Sequence, residues 1–244
     1  MPGWDRFLTE RDKRVFDKAG FGERGGFGQR PVLLIVDVSY GFCGDEPLPI
    51  LEAIDQWHSS CGEESWVAVE RTRELISAAR AKRIPVIYAT GPDDSVAGDF
   101  GLGRWLDKNP RSVEHVSPRY NEIVEPIAPR ASDIVILRSK PSVFFGSELV
   151  SHLVNLGADT VITCGVATSG CVRATVTEGF SYNYRMVVVE ECTFDRCEAS
   201  HWINLFDMHQ KYADVVELQE VVAYLGSLED DLFTDRMAVL AAQD

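Results

Sequence analysis

Residues 160–180 read TVITCGVATSGCVRATVTEGF. Thr160–Cys164 is a short apolar run, and glycines at 165 and 170 flank a turn of small residues. From Gly170 to Tyr182 the pattern is helical, with Cys171 at its opening. A strand that turns directly into a helix is the repeating unit of a layered α/β sheet. Five more apolar runs share the character of the first: Val32–Asp37, Pro85–Thr90, Asp133–Leu137, Met186–Val189 and Val215–Leu218. Runs such as VLLIV, DIVIL and MVVV do not alternate with polar residues, so both faces of these strands are predicted to be buried. That is the mark of a parallel sheet covered by helices. Helical patterns fill the intervals. Ser65–Arg83 carries Trp66, Val69, Ile76 and Ala79 on one face. A helix capped by Ser147 turns Leu149, Leu153 and Leu156 inward and stops at Gly157. Ser200–Lys211 aligns Trp202, Leu205, Phe206 and His209. The order strand–helix–strand implies right-handed crossovers and a doubly wound α/β fold.

Around this frame the segments 40–62 and 91–131 read as long irregular loops over a site. Residues 1–28 and 228–244 read as an N-terminal arm and a C-terminal tail around one domain at 29–227, the arms suited to packing on another subunit. A chain of 244 residues fits one such domain. Its 38 acidic and 24 basic residues give a formal net charge of −14. That balance lacks the basic footprint of a nucleic-acid binder. No run is long enough to span a membrane and no apolar signal core is present, so a cytoplasmic protein is expected. The six cysteines, at 43, 61, 164, 171, 192 and 197, are then expected to stay reduced.

Ligands of open α/β sheets bind beyond the carboxyl ends of the strands. Three reactive residues fall there: Asp37 at the end of the first run, Lys140 just after the third, and Cys171 after the fourth. Singly, each has a plain structural reading as a turn residue, a solvated cation and a buried filler. Together they suit nucleophilic catalysis. A thiol at a helix N-terminus beside an ammonium is expected to have a lowered pKa. Asp37 would take the thiol proton and return it to a leaving amine, Lys140 would stabilise the thiolate, and water would hydrolyse the resulting thioester. The glycine-flanked turn before Cys171 lets backbone N–H groups approach a substrate and form an oxyanion hole.

At these residues the sequence resembles the isochorismatase-like cysteine hydrolases. The matching pieces are RPVLLIVDVSYGF around Asp37, RSKPSVFFGS around Lys140 and TCGVATSGCVRATVTEGF around Cys171, within a resemblance spanning residues 25–226. It implies a six-stranded parallel sheet with helices on both faces, a catalytic Asp37–Lys140–Cys171 triad and hydrolysis of a C–N bond. It also implies a cis peptide at Val166–Ala167, with the N–H groups of Ala167 and Cys171 as oxyanion donors. The segments RGGFGQRPVLLIVD, GLGRWLDKNP and DRCEASHWINLFDMHQKYADV look most like the branch that acts on N-carbamoyl amino acids and maleamate. There Arg196 is expected to grip a substrate carboxylate, with an ion pair to Asp195 or Glu198 as the structural alternative. Trp105, Phe42, Phe145 and Thr168 complete the expected substrate contacts, and Tyr40 and Phe144 are further aromatic candidates. The region after the second strand, YATGPDDSVAGDFG, departs from the Asp/His cluster of nicotinamidases, so no metal or other cofactor is expected. The family implies a homodimer or homotetramer. Competing readings are vinyl-ether hydrolysis of isochorismate, which does not rely on a cysteine, and a thiol redox or binding module, for which the Cys192-x4-Cys197 spacing is wrong.

Overall fold

A computed structural model describes residues 3–92, 104–108 and 117–233. After a 3-10 turn at Gly3–Phe7, the elements follow in order: α1 (Glu10–Ala19), β1 (Pro31–Val36), α2 (Tyr40–Cys43), α3 (Ile50–Gln56), α4 (Glu63–Ala81), β2 (Val86–Thr90), the short α5 (Trp105–Lys108) and β3 (Ile134–Leu137). Then come α6 (Leu149–Leu156), β4 (Thr160–Val166), α7 (Arg173–Ser181), β5 (Arg185–Phe194), α8 (Glu198–Lys211), β6 (Asp214–Val216) and α9 (Leu218–Ser227). The six strands form one sheet in the order β3-β2-β1-β4-β5-β6, parallel throughout. Every residue of β1 and β4 is buried, as apolar runs without alternation require. At the edge, β3 leaves Val135 and Leu137 exposed.

Chain order reverses between β1 and β4, and that seam places the site. Val36 pairs with Gly165 there. Gly165 has φ +112°, and a Cβ at this position would lie 2.0 Å from the Val36 carbonyl oxygen. Only glycine fits a left-handed conformation pressed against a neighbouring backbone. Gly165→Ala is therefore expected to destabilise the fold by about 3 kcal/mol or more. A urea-unfolding midpoint equal to that of the wild type would refute this.

Three expectations change. The segment 40–62 contains two helices, α2 and α3, because Pro49 and Gly62 bound short stretches that the sequence pattern blurred into loop. β5 runs ten residues, to Phe194, well past the apolar run 186–189: its pairing with β4 shifts register between Val188 and Thr193, around Glu190 and Glu191, and then resumes. The N-terminal arm packs on its own chain. Trp4 is buried and meets Phe206 and His209, and Phe16 packs edge-on against Phe206. Farther along, Gly25 and Gly26 donate their N–H groups to the buried Asp214 carboxylate. Among the described residues, no helix is long and apolar enough to cross a membrane.

Candidate active site

Asp37 and Arg138 are the first residues beyond β1 and β3. Their backbones still continue the ladder: Asp37 N–H donates to Ala89 O at 2.9 Å and Arg138 N–H to Thr90 O at 2.9 Å. Both side chains thus start from the carboxyl edge of the sheet. Asp37 takes φ +55°, a left-handed conformation that costs a non-glycine residue about 1 kcal/mol and that aspartate tolerates better than most. Its carboxylate forms an ion pair with the Arg138 guanidinium, and both side chains are only 7 % exposed. Burial at this level calls for a partner on each side, because an unpaired charge there is costly. A second Arg138 nitrogen, Nη1, donates to the Lys140 carbonyl oxygen, which fixes the plane of the guanidinium.

Cys171 faces this pair from β4. It lies in the wide helical turn Thr168–Val172, where the non-helical Gly170 (φ −110°, ψ −106°) breaks the path into α7. The peptide between Val166 and Ala167 is cis. Gly170 and Val172 both donate to Ala167 O, at 2.9 and 3.2 Å, closing the turn on itself. The residue is partly exposed, and its thiol feels Asp37 and Arg138 directly. Burial first, and then the Asp37 carboxylate, push the thiol up to about 12, against the opposing pull of Arg138. The lowered pKa expected from a helix N-terminus is thus corrected: a buried sulfur beside a carboxylate holds its proton at rest.

The acid and the thiol have a cation beside them that sequence reading did not name. Arg138 lies against Asp37 and Cys171, and the backbone carbonyl of Lys140, two residues on, accepts from it. The signal was available in sequence. Arg138 directly follows Leu137, the last residue of β3, just as Asp37 follows Val36 of β1.

Arg196 sits between β5 and α8. Its Nη2 donates to the Ser59 carbonyl, and its guanidinium lies 5.5 Å from the centre of the Phe42 ring. Neither carboxylate proposed as its ion-pair partner is directed to that guanidinium. Asp195 accepts from Ser169 N and Ser169 Oγ at 2.8 and 2.6 Å, and Glu198 pairs with Arg6. Phe42, the expected substrate contact, stands beside it. Sequence reading missed Tyr120, whose hydroxyl is influenced by both Arg196 and Asp37 and which meets Phe42 at 6.2 Å between ring centres.

Other expectations resolve differently. Thr168 is fully buried: its hydroxyl donates to Phe194 O at 3.0 Å and meets His201 Nδ1 at 2.8 Å. It ties the turn that carries Cys171 to β5. Burial keeps His201 neutral, with its pKa lowered to about 4. Tyr40 and Phe144 are core residues, whereas Phe145 is 60 % exposed. Trp105 lies in α5, but its side chain is outside the described residues. No cluster of three or more metal-ligating side chains occurs among the described residues.

Residues 31–220 match the family model described as the Isochorismatase domain. The chain is 32% identical over 213 residues to maleamate amidohydrolase of Pseudomonas putida, covering 85% of this chain and 92% of that protein. It is 30% identical over 225 residues to N-carbamoylsarcosine amidase of an Arthrobacter species, covering 90% and 80%. A cysteine hydrolase structure from Pseudomonas syringae superposes with a TM-score of 0.70 at 21% identity, over 81% of this chain and 93% of that one.

Proposed function

The chain belongs to the isochorismatase family, and from that premise we propose that it is a cysteine-dependent amidohydrolase of small carboxylate-bearing amides or ureido compounds. One observation carries the reading. A thiol faces a buried carboxylate–guanidinium pair where three strand ends converge. Asp37 removes the Cys171 proton as Sγ attacks the carbonyl carbon, and the charge on sulfur is held by Lys140, the third member of the triad, together with Arg138. Collapse of the tetrahedral adduct breaks the C–N bond. The nitrogen leaves as ammonia, taking the proton from Asp37. Water then gives its proton to Asp37 and attacks the acyl or carbamoyl thioester, which frees Cys171. The amides of Ala167 and Cys171, on either side of the closed turn, serve the oxyanion. Arg196 supplies a planar fork for the substrate carboxylate.

This chemistry needs no metal or organic cofactor. N-Carbamoyl amino acids and maleamate are the substrates to test first, since relatives of this chain carry the names of enzymes acting on such compounds. The decisive experiment combines ammonia release with acid-quenched intact-protein mass spectrometry. An acyl adduct on wild-type protein, absent from Cys171→Ala, is the expected result. Ammonia release that survives Cys171→Ala would end the reading. Assembly as a homodimer or homotetramer belongs to the same proposal, and sedimentation would test it.

A further inference from the structure

Arg196 is held by contacts that converge on one tyrosine. Tyr120 Oη and Ser59 Oγ are 2.6 Å apart, the phenol donating. The carbonyl of that same Ser59 accepts from Arg196 Nη2. The Tyr120 ring is also fixed from several sides. It packs on Gly41, where an added Cβ would come within 2.8 Å of the ring. It stacks on His58 at 5.7 Å and 20°, and it approaches Phe42, the ring beneath Arg196. The backbone joins in, with Gly41 N–H donating to Tyr120 O at 2.9 Å.

A guanidinium on a flexible stem binds a carboxylate well only when its plane is set beforehand. Here the plane rests on one carbonyl and one ring face. Ser59 lies in the connection between α3 and α4, and the described side-chain contact that anchors its hydroxyl is the Tyr120 phenol. Tyr120 also lies within the fields of both Asp37 and Arg196.

We propose that Tyr120 is a positioning residue for substrate specificity: through Ser59 it orients Arg196 toward carboxylate-bearing substrates. This rests on the reading of Arg196 as the carboxylate anchor. The test has two arms. The first measures hydrolysis of N-carbamoylsarcosine and maleamate. Tyr120→Phe and Ser59→Ala are each expected to raise KM about tenfold while changing kcat less than twofold, the loss of one orienting hydrogen bond. The second needs no turnover. The rate at which iodoacetate alkylates Cys171 is divided by the rate with iodoacetamide, which has the same reactive carbon without the carboxylate. Arg196→Ala is expected to lower this ratio most, with Tyr120→Phe and Ser59→Ala following it severalfold below wild type. A wild-type ratio in Tyr120→Phe and Ser59→Ala, with a reduced one in Arg196→Ala, overturns the role of Tyr120 and leaves the anchor standing. A wild-type ratio in Arg196→Ala overturns both. Equal loss with both reagents in Tyr120→Phe would mark a general packing role and would also defeat the proposal.

Discussion

Asp37→Asn is expected to reduce amide turnover by about 10²–10⁴-fold and, at the same time, to make Cys171 more reactive toward iodoacetamide at neutral pH. The two effects have opposite signs because, in the proposed mechanism, the carboxylate has two roles. As a base it accepts the proton that attack releases. As a charge it raises the thiol pKa, second only to burial. Asparagine removes both the proton acceptor and the negative charge, while Arg138 stays to favour thiolate. The alkylation profile should therefore shift to lower pH in the variant, whereas in the wild type it keeps climbing toward about 12. A variant that loses turnover without this acid shift would show that Asp37 and Cys171 are not neighbours in solution.

Arg138→Ala should damage both stability and activity. It leaves the Asp37 carboxylate buried without its cation, and breaking a buried pair from one side costs about 3–5 kcal/mol. The thiol pKa should rise further, since the guanidinium that lowers it is gone, and turnover should fall by at least about 10²-fold. Arg138→Lys is the informative companion. Lysine keeps the charge but cannot span the Asp37 carboxylate and the Lys140 carbonyl with one planar fork. It should recover most of the stability and only part of the rate. Denaturant midpoints and kcat/KM for the three proteins test this order. A wild-type rate in Arg138→Ala, with turnover lost in Lys140→Ala, would leave Lys140 alone as the cation that serves the sulfur.

The sheet was legible in sequence because six apolar runs lacked alternation, and both faces of β1 and β4 are indeed buried. The helices with clear stops, such as α6 ending at Gly157, were legible as well. β5 was underread because two glutamates sit where its pairing shifts register before resuming at Thr193, and α2 and α3 are too short for a periodic signal. Asp37 and Cys171 were singled out by position along the chain. Arg138 was not, because RSK offers two cations two residues apart, and the ion pair of the first with the acid appears only in the fold. Tyr120 carried no signal at all: its place depends on contacts with residues 41, 42, 58 and 59, some sixty to eighty positions away.

The seam between β1 and β4 has one more implication. Asp37 and Arg138 belong to the half of the sheet built from β1, β2 and β3, whereas Cys171 and Arg196 belong to the half built from β4, β5 and β6. A chain with only one half assembled brings none of these groups together. On the proposed reading, carboxylate, guanidinium and thiol share a site only once Val36 has docked on Gly165, so amide turnover belongs to the whole sheet and to neither half alone.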